Sequence, residues 1–527
     1  MSTPHSGDWT RVHPVSPLVR GWIALAAFAF ILGRNWVEDF AGHDDSGAPA
    51  RPPDGTTLLI AAAVLAGILL ILAGLFFLSW WFTRYQVTDD HVRVHSGVVF
   101  RQQRQARLDR VQAIDIVQPL LARLFGLAEL RFEVADAGES AVRLAYLRLS
   151  DARELRATIL DRASGAAGDT TAPPEPGSGS AAGDASGESP AAPPRPAREA
   201  PEQQILALRP GRVIAATLLS GTSVFLAVTA AVVITLSLVF REPVGAAVLV
   251  PILFAAGSGY WSVLSNAFNF RAAVSRDGIR LHYGLLDTRA QTVPPGRIQA
   301  VALNQSPLWR LAGWYSVSVN VAGYGTGTGT EGQARTKLLP VGTLEEVFSI
   351  LALALPSPGT GDPRGVFTAG MTGSGAAYGF TTSPRRARWL SPLTWRRNAF
   401  ALTDTALLVR SGFLFRVLAV VPHGRTQSLA LEQGPLNRSL RLADLVLHST
   451  PGPVSPRIHQ LDQRSAQLLL NEQASRARDA RHRDLPEQWL RRPAAAGLPG
   501  APPPPVEHPP SAAPPATPQP NVKEQQE

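Results

Sequence analysis

No cysteine occurs in the 527 residues. That excludes disulfides, thiol nucleophiles, thiolate metal sites and covalent haem attachment. Lysine is nearly absent as well: Lys337 and Lys523 are the two, so the positive side of a formal net charge of +9 is almost all arginine. The arginines are spread along the chain and form no single patch, which argues against a nucleic-acid partner. Charged residues make up only 17%, against 45% hydrophobic residues and 45 each of glycine and proline. Such a mixture predicts apolar blocks separated by breaker-rich stretches. The 11 histidines show no zinc-site spacing, "GTGTGTEGQ" lacks a phosphate loop's GK[ST] ending, and GxSxG does not occur. No catalytic residue, metal site or cofactor is expected, and the chain reads as a non-enzyme.

Four apolar runs stand out: Ser16 to Val37, Thr56 to Phe82, Val213 to Phe240 and Pro243 to Phe268. The last three carry no charge, and each exceeds the roughly 20 residues needed to cross a bilayer. In the first, Arg20 and Arg34 can snorkel to opposite interfaces. The connection between the first two runs holds Glu38, Asp39, Asp44, Asp45 and Asp54 against Arg51. Arginines flank the outer ends: Arg11, Arg20, Arg84, Arg93, Arg209, Arg212, Arg271 and Arg280. Positive loops stay in the cytoplasm. The expectation is an α+β membrane protein with four transmembrane helices in two hairpins, 16–82 and 209–268, with both termini and all other domains in the cytoplasm of a bacterial cell.

One phrase is written three times: "LDRVQAIDIVQPLLAR" from Leu108, "PGRIQAVALNQSPLWR" from Pro295 and "HGRTQSLALEQGPLNR" from His423. Around it, five positions recur without gaps. Gly97, Gly284 and Gly412 each lie 13 residues before Arg110, Arg297 and Arg425. Gln112, Gln299 and Gln427 follow two residues after the arginine, Gln118, Gln305 and Gln433 eight after it, and Arg123, Arg310 and Arg438 13 after it. A fixed internal pattern of this kind signals a repeated domain. The segments around the glycines alternate as hairpins do, and each phrase opens a strand that a proline ends (Pro119, Pro307, Pro435). An amphipathic helix closes each copy. Thr343 followed by Glu346 makes a capping box, and Asp462 is an N-cap. The arginine and first glutamine share parity with apolar residues. They therefore either pin nearby backbone or line a ligand pocket, and recurrence in all three copies favours the structural role. The repeats are placed at 84–162, 269–355 and 390–480, with linkers at 163–203 and 356–389 and a proline-rich tail at 493–527. The first linker and the tail are too biased in composition to build a core.

Membrane hairpin, compact β domain with a "G…R.Q……Q.P…R" core, second unit, third unit: this order resembles the bacterial pleckstrin-homology (PH) domain membrane proteins of the YdbS/YdbT type. "LSPLTWRRNAFALTD" and "HGRTQSLALEQGPLNR" carry the likeness most strongly, over Ser16 to about Arg478. The resemblance implies a PH-like fold for each repeat, two packed antiparallel sheets and a C-terminal helix. It also implies a non-enzymatic membrane role as scaffold or adaptor, and a smaller single-PH-domain membrane protein as partner. A homo-oligomer and an accessory role in an export, transport or envelope-defence system are left open. Two departures stand out: Arg441 replaces the glycine of the first two copies (Gly126, Gly313), so the helical turn of repeat three is expected to differ, and "YGTGTGTEG" lengthens a loop of repeat two. Arg101, Arg104 and Arg107 in repeat one follow a membrane run closely, so they are candidates for contact with lipid headgroups of the cytoplasmic membrane.

Overall fold

The computed structural model describes residues 9–16, scattered positions from 56 to 78, and 80–88, 91–97, 101–107, 111–134, 142–163, 203–240, 244–275, 278–322 and 336–483. The linker at 164–202, the tail and the first apolar run beyond Ser16 lie outside them, as does most of the second run.

Each repeat is a four-stranded antiparallel sheet followed by a three-stranded one and a helix. Repeat one has β1 (Thr10–Arg11), β2 (Arg84–Val87), β3 (His91–Ser96) and β4 (Gln102–Arg107), then β5 (Val111–Gln118), β6 (Leu127–Val134), β7 (Val142–Arg148) and helix α1 (Leu149–Ala163). Repeat two has β8 (Gln203–Ala207), β9 (Arg271–Ser275), β10 (Gly278–Tyr283) and β11 (Thr288–Val293), then β12 (Ile298–Gln305), β13 (Tyr315–Val321) and β14 (Lys337–Gly342). Between β8 and β9 run helices α2 (Pro210–Leu218), α3 (Gly221–Phe240) and α4 (Val244–Ala267); α5 (Leu344–Ala354) closes the repeat. Helix α6 (Pro363–Thr372) leads to repeat three: β15 (Thr381–Thr382), β16 (Ala399–Leu402), β17 (Ala406–Ser411) and β18 (Arg416–Pro422), then β19 (Ser428–Glu432), β20 (Leu442–His448), β21 (Arg457–Asp462) and α7 (Gln463–Arg483).

The strands follow the period-two pattern. Val92 and Val94, Ile279 and Leu281, and Leu407 and Val409 turn inward from the strand before each repeated glycine. Their cores also take in Ile114, Leu130, Phe132 and Ile159 in repeat one, Leu303, Val317 and Ile350 in repeat two, and Leu445, Ile458 and Leu469 in repeat three. Thr343 caps α5: its side chain accepts the Glu346 N–H and Glu346 Oε2 accepts the Thr343 N–H at 2.8 Å. Asp462 caps α7 by accepting the Arg464 N–H at 3.0 Å.

The sheets do not stay within their repeats. β5 pairs with β11, so the second sheet of repeat one and the first sheet of repeat two form one seven-stranded sheet, β7-β6-β5-β11-β10-β9-β8. β12 pairs with β18 in the same way, giving β14-β13-β12-β18-β17-β16-β15. A four-stranded sheet, β1 to β4, is left at one end and a three-stranded sheet, β19 to β21, at the other.

The four transmembrane helices expected from the sequence are not upheld. Among the described residues one helix, Gly221–Val239, is long and apolar enough to cross a membrane. The run opening at Val213 is not continuous, because the helix stops before Leu219 and Ser220. Val213, Ala216 and Thr217 of the preceding α2 are buried with the core of repeat two and belong to that domain. Pro251 lies inside α4, where it removes a main-chain donor, and the helix ends in the same core at Ala267. The architecture is a set of fused antiparallel sheets with PH-like β domains and, among the described residues, one helix both long and apolar enough to cross a membrane.

The connection at 356–389 is folded. Val366, Phe367 and Met371 of α6 are buried. Two arginines hold this segment. Arg397 donates to the carbonyls of Gly412, Gly373 and Gly370, and Arg410 to those of Arg397, Ala369 and Gly375. Burial lowers both guanidinium pKa values to about 10. Arg410 also lies 4.5 Å from the centre of the Phe380 ring, a cation–π contact strengthened by loss of water.

Candidate functional site

The second repeated glutamine makes one bond three times over. Gln118 Nε2 donates to the Leu127 carbonyl at 3.1 Å, Gln305 Nε2 to the Trp314 carbonyl at 3.3 Å, and Gln433 Nε2 to the Leu442 carbonyl at 2.9 Å. Each bond spans the helical turn between the fifth and sixth strands of its repeat and fixes the corner. The first glutamines differ from one another. Gln299 is buried and donates to the Arg297 carbonyl at 3.3 Å, whereas Gln427 is exposed; Gln112 lies in β5, with its side chain outside the described residues. Arg110 is outside them too, while Arg297 and Arg425 are partly exposed. The three glycines have φ of 103°, 123° and 76°. At Gly284 and Gly412 a side chain would strike the carbonyl of Asp287 or Phe415, so the hairpin turns require glycine.

Arg310 lies at a joint between repeats. Its Nη2 donates to the carbonyls of Phe413 and Leu414, in the β17–β18 turn of the next repeat. Beside it, Trp309 Nε1 donates to the Ala216 carbonyl at 3.0 Å, in the helix that leads to α3. The turn it holds is apolar and exposed at Phe413, Leu414 and Phe415, and Phe415 lies against Gly221, the first residue of α3. The phrase therefore links three things: its own β corner, the next repeat and the foot of the apolar helix. Arg123 and Arg438 are exposed. Arg101, Arg104 and Arg107 are exposed on or beside β4, at a sheet edge.

The joint between repeats one and two also forms a solvent-open cleft of about 570 Å³, lined by Arg123, Arg153, Arg156, Arg271, Arg289 and His282, with Gln118 and Thr288 at the pairing strands. No carboxylate is among its described lining residues. Thr292, near its wall, accepts a bond from Arg156 Nη2.

Three further contacts have no motif to announce them. Asn320 is fully buried in repeat two and reaches into repeat three: its amide donates to the Thr450 and Val454 carbonyls at 3.1 and 2.6 Å, and its oxygen accepts the Val454 N–H at 2.9 Å. His423, from the repeated phrase, is buried with Nδ1 2.9 Å from Gln473 Oε1 and Nε2 3.0 Å from the Thr403 carbonyl. Burial pulls its pKa down. Arg441 adopts a left-handed φ of 52°, close to the 66° and 64° of Gly126 and Gly313, so the turn of repeat three is kept despite the substitution.

Comparison with known proteins agrees with this geometry. The UPF0699 transmembrane protein YdbT of Bacillus subtilis (strain 168) is 24% identical over 108 residues, which are 20% of this chain and 22% of the relative. The chain thus aligns with about a fifth of that protein's length. No solved structure matches. The bacterial PH domain family matches three stretches, residues 27–163, 215–355 and 369–477, which together cover most of the molecule and coincide with its three fused β units, so the chain belongs to the bacterial PH domain family.

Proposed function

We propose that this protein is a membrane-anchored scaffold that presents three PH-like domains as one continuous array for interaction with other proteins. The observation that supports it most is α3. Phe225, Val228, Ile234 and Leu238 are exposed along a helix none of whose described residues is buried, and such a helix is satisfied by lipid, not water. The relative's name describes a transmembrane protein, in keeping with this reading. β8 and β9 flank the helices and are hydrogen-bonded neighbours, so the chain that leaves the sheet towards α3 comes back to it through α4. Arg209, Arg212 and Arg271 flank the helices where they join this sheet, which supports a cytoplasmic placement of the domain.

Single cysteines at Glu154, Glu345 and Leu468, one per repeat, test the arrangement in a chain that has none of its own. A membrane-impermeant maleimide is expected to label all three in opened membranes and none in intact cells. Labelling of any of them in intact cells overturns the topology. The scaffold role is tested by purifying the full chain from native membranes after cross-linking. A protein recovered in fixed ratio supports it, and recovery of the chain with lipid alone overturns it.

The basic cleft supports a second reading, in which the first joint holds a phosphate-bearing anion. Reconstituted full-length chain is then expected to lose binding of labelled inorganic phosphate or phosphorylated headgroup when Arg271 and Arg153 are both replaced by Gln. Unchanged binding removes this reading.

A further inference from the structure

The two joints follow one register rule. In each, the residue four after the repeated glycine pairs with the second repeated glutamine: Thr288 with Gln118, and Arg416 with Gln305. The ladders then run in step, Arg289 with Val117 and Ala290 with Ile116, Val417 with Asn304 and Leu418 with Leu303. Among the described residues, two strands that match this rule have a strand on one side only. β4 is the counterpart of β11 and β18 and stands at the edge of the first sheet; β19 is the counterpart of β5 and β12 and stands at the edge of the last. β12 and β18 are largely buried, whereas β4 is exposed except at Ala106, and β19 is half-buried or exposed throughout.

Both edges point main-chain groups outward. Leu447 donates to Pro456 on the β21 side. Alternation then turns Val446 and His448 toward β19, and Leu429 and Leu431 away from it to the open side. At the other end, Thr88 donates to His91, which turns Val92 and Val94 toward β4 and leaves the N–H groups of Gln103 and Gln105 facing out. An edge in this state is a template for another strand.

We propose that β19 of one molecule pairs with β4 of a second copy in the register of the internal joints, so that copies join head to tail. Leu431 then lies opposite Gln103, Ala430 opposite Arg104 and Leu429 opposite Gln105. The charges are complementary: Arg104 lies diagonal to Glu432 on the same face of the joint, where Glu432 also pairs with Arg457 within its own chain. Gln103 and Gln105 occupy the places that buried Leu418 and Val420 hold in β18. The open edge is therefore soluble when alone, and the joint between molecules forms reversibly. Because the two surfaces differ, the contact is heterologous and builds rings or rows. Membrane anchoring would hold the copies in one plane, but the pairing does not depend on it.

The absence of native cysteine makes the register directly testable. Arg104 and Ala430 form the cross-strand pair whose main-chain groups turn away from each other, where side chains come closest. Full-length R104C and A430C, made as separate chains and mixed under oxidising conditions, are expected to give a mixed disulfide dimer, with neither chain forming dimers alone. Adding Gln103→Pro and Gln105→Pro to the R104C chain removes two outward donors at exposed positions, and the mixed dimer is expected to be lost while the melting curve is kept. Should the prolines unfold the sheet, R104E against native Glu432 gives the second arm. Light scattering should show fewer multimers for R104E and recovery on adding E432R. No mixed dimer at any concentration overturns the proposal. So does cross-linking that survives the prolines in a folded chain, or capture of the β4 edge by anionic vesicles with no mixed dimer.

Discussion

Gln433 reaches the Leu442 carbonyl at 2.9 Å, nine residues ahead, and Gln305 reaches Trp314 over the same interval. The bond, repeated also at Gln118, explains why the glutamine recurs where the loops around it do not. Replacing Gln305 with Ala orphans a main-chain carbonyl at the corner of a buried strand. The expected loss is about 1–3 kcal/mol, read as a lower midpoint in denaturant titration of the detergent-solubilised chain. Gln427→Ala, at an exposed position, is expected to cost less than about 0.5 kcal/mol.

Asn320 is the tie between repeats two and three. With Ala in its place, the Val454 N–H and two carbonyls lose their partner inside the protein. A loss of about 2–3 kcal/mol is expected. Limited proteolysis should then cut first in the segment around Thr450 to Val454, and an unaltered cleavage pattern would contradict this role.

Burial lowers the pKa of His423 below its usual 6.5. The unfolded chain therefore binds a proton in a range where the folded chain does not, and stability falls with pH once pH drops below about 6.5. Thermal melts of the wild-type chain between pH 7.5 and 5 should show this decline. His423→Gln, which cannot titrate, should flatten the profile relative to wild type.

Arg441 holds a conformation that costs a side-chain-bearing residue about 1–2 kcal/mol. Its contacts run through the main chain, its carbonyl accepting bonds from Arg386 and from the Gln463 N–H. Arg441→Gly keeps that carbonyl and relieves the backbone, so a gain of about 1 kcal/mol in the midpoint of repeat three is expected, and a loss would show that the side chain matters.

The repeat was legible because its markers are side chains with fixed local duties: a glycine at a positive-φ turn, a glutamine at a corner, apolar residues at every second position. The sharing of sheets was not legible. It runs through main-chain pairing between β5 and β11 and between β12 and β18, and main-chain groups leave no residue signature. β1, β8 and β15 escaped for a related reason, since β1 and β15 have two residues each and β8 has five, too little for a period to show. Apolar runs marked where helices lie but not where they stop. Nothing in Val213 to Phe240 separates the part that packs on repeat two from the part that emerges at Gly221. The buried Arg397 and Arg410 went unread because an arginine that serves backbone carbonyls looks, in a sequence, like any surface arginine.

Repeat two gives one of its sheets to each neighbour and keeps no open edge at either joint. The end repeats each keep one sheet that is theirs alone. Unfolding should therefore begin at the two ends and move inward, as in a row of coupled units where inner members have two interfaces and outer members one. On this view the middle repeat is the last to exchange its amide hydrogens. A lesion in β10 or β13 would weaken all three domains together, while one in β3 or β20 would stay local.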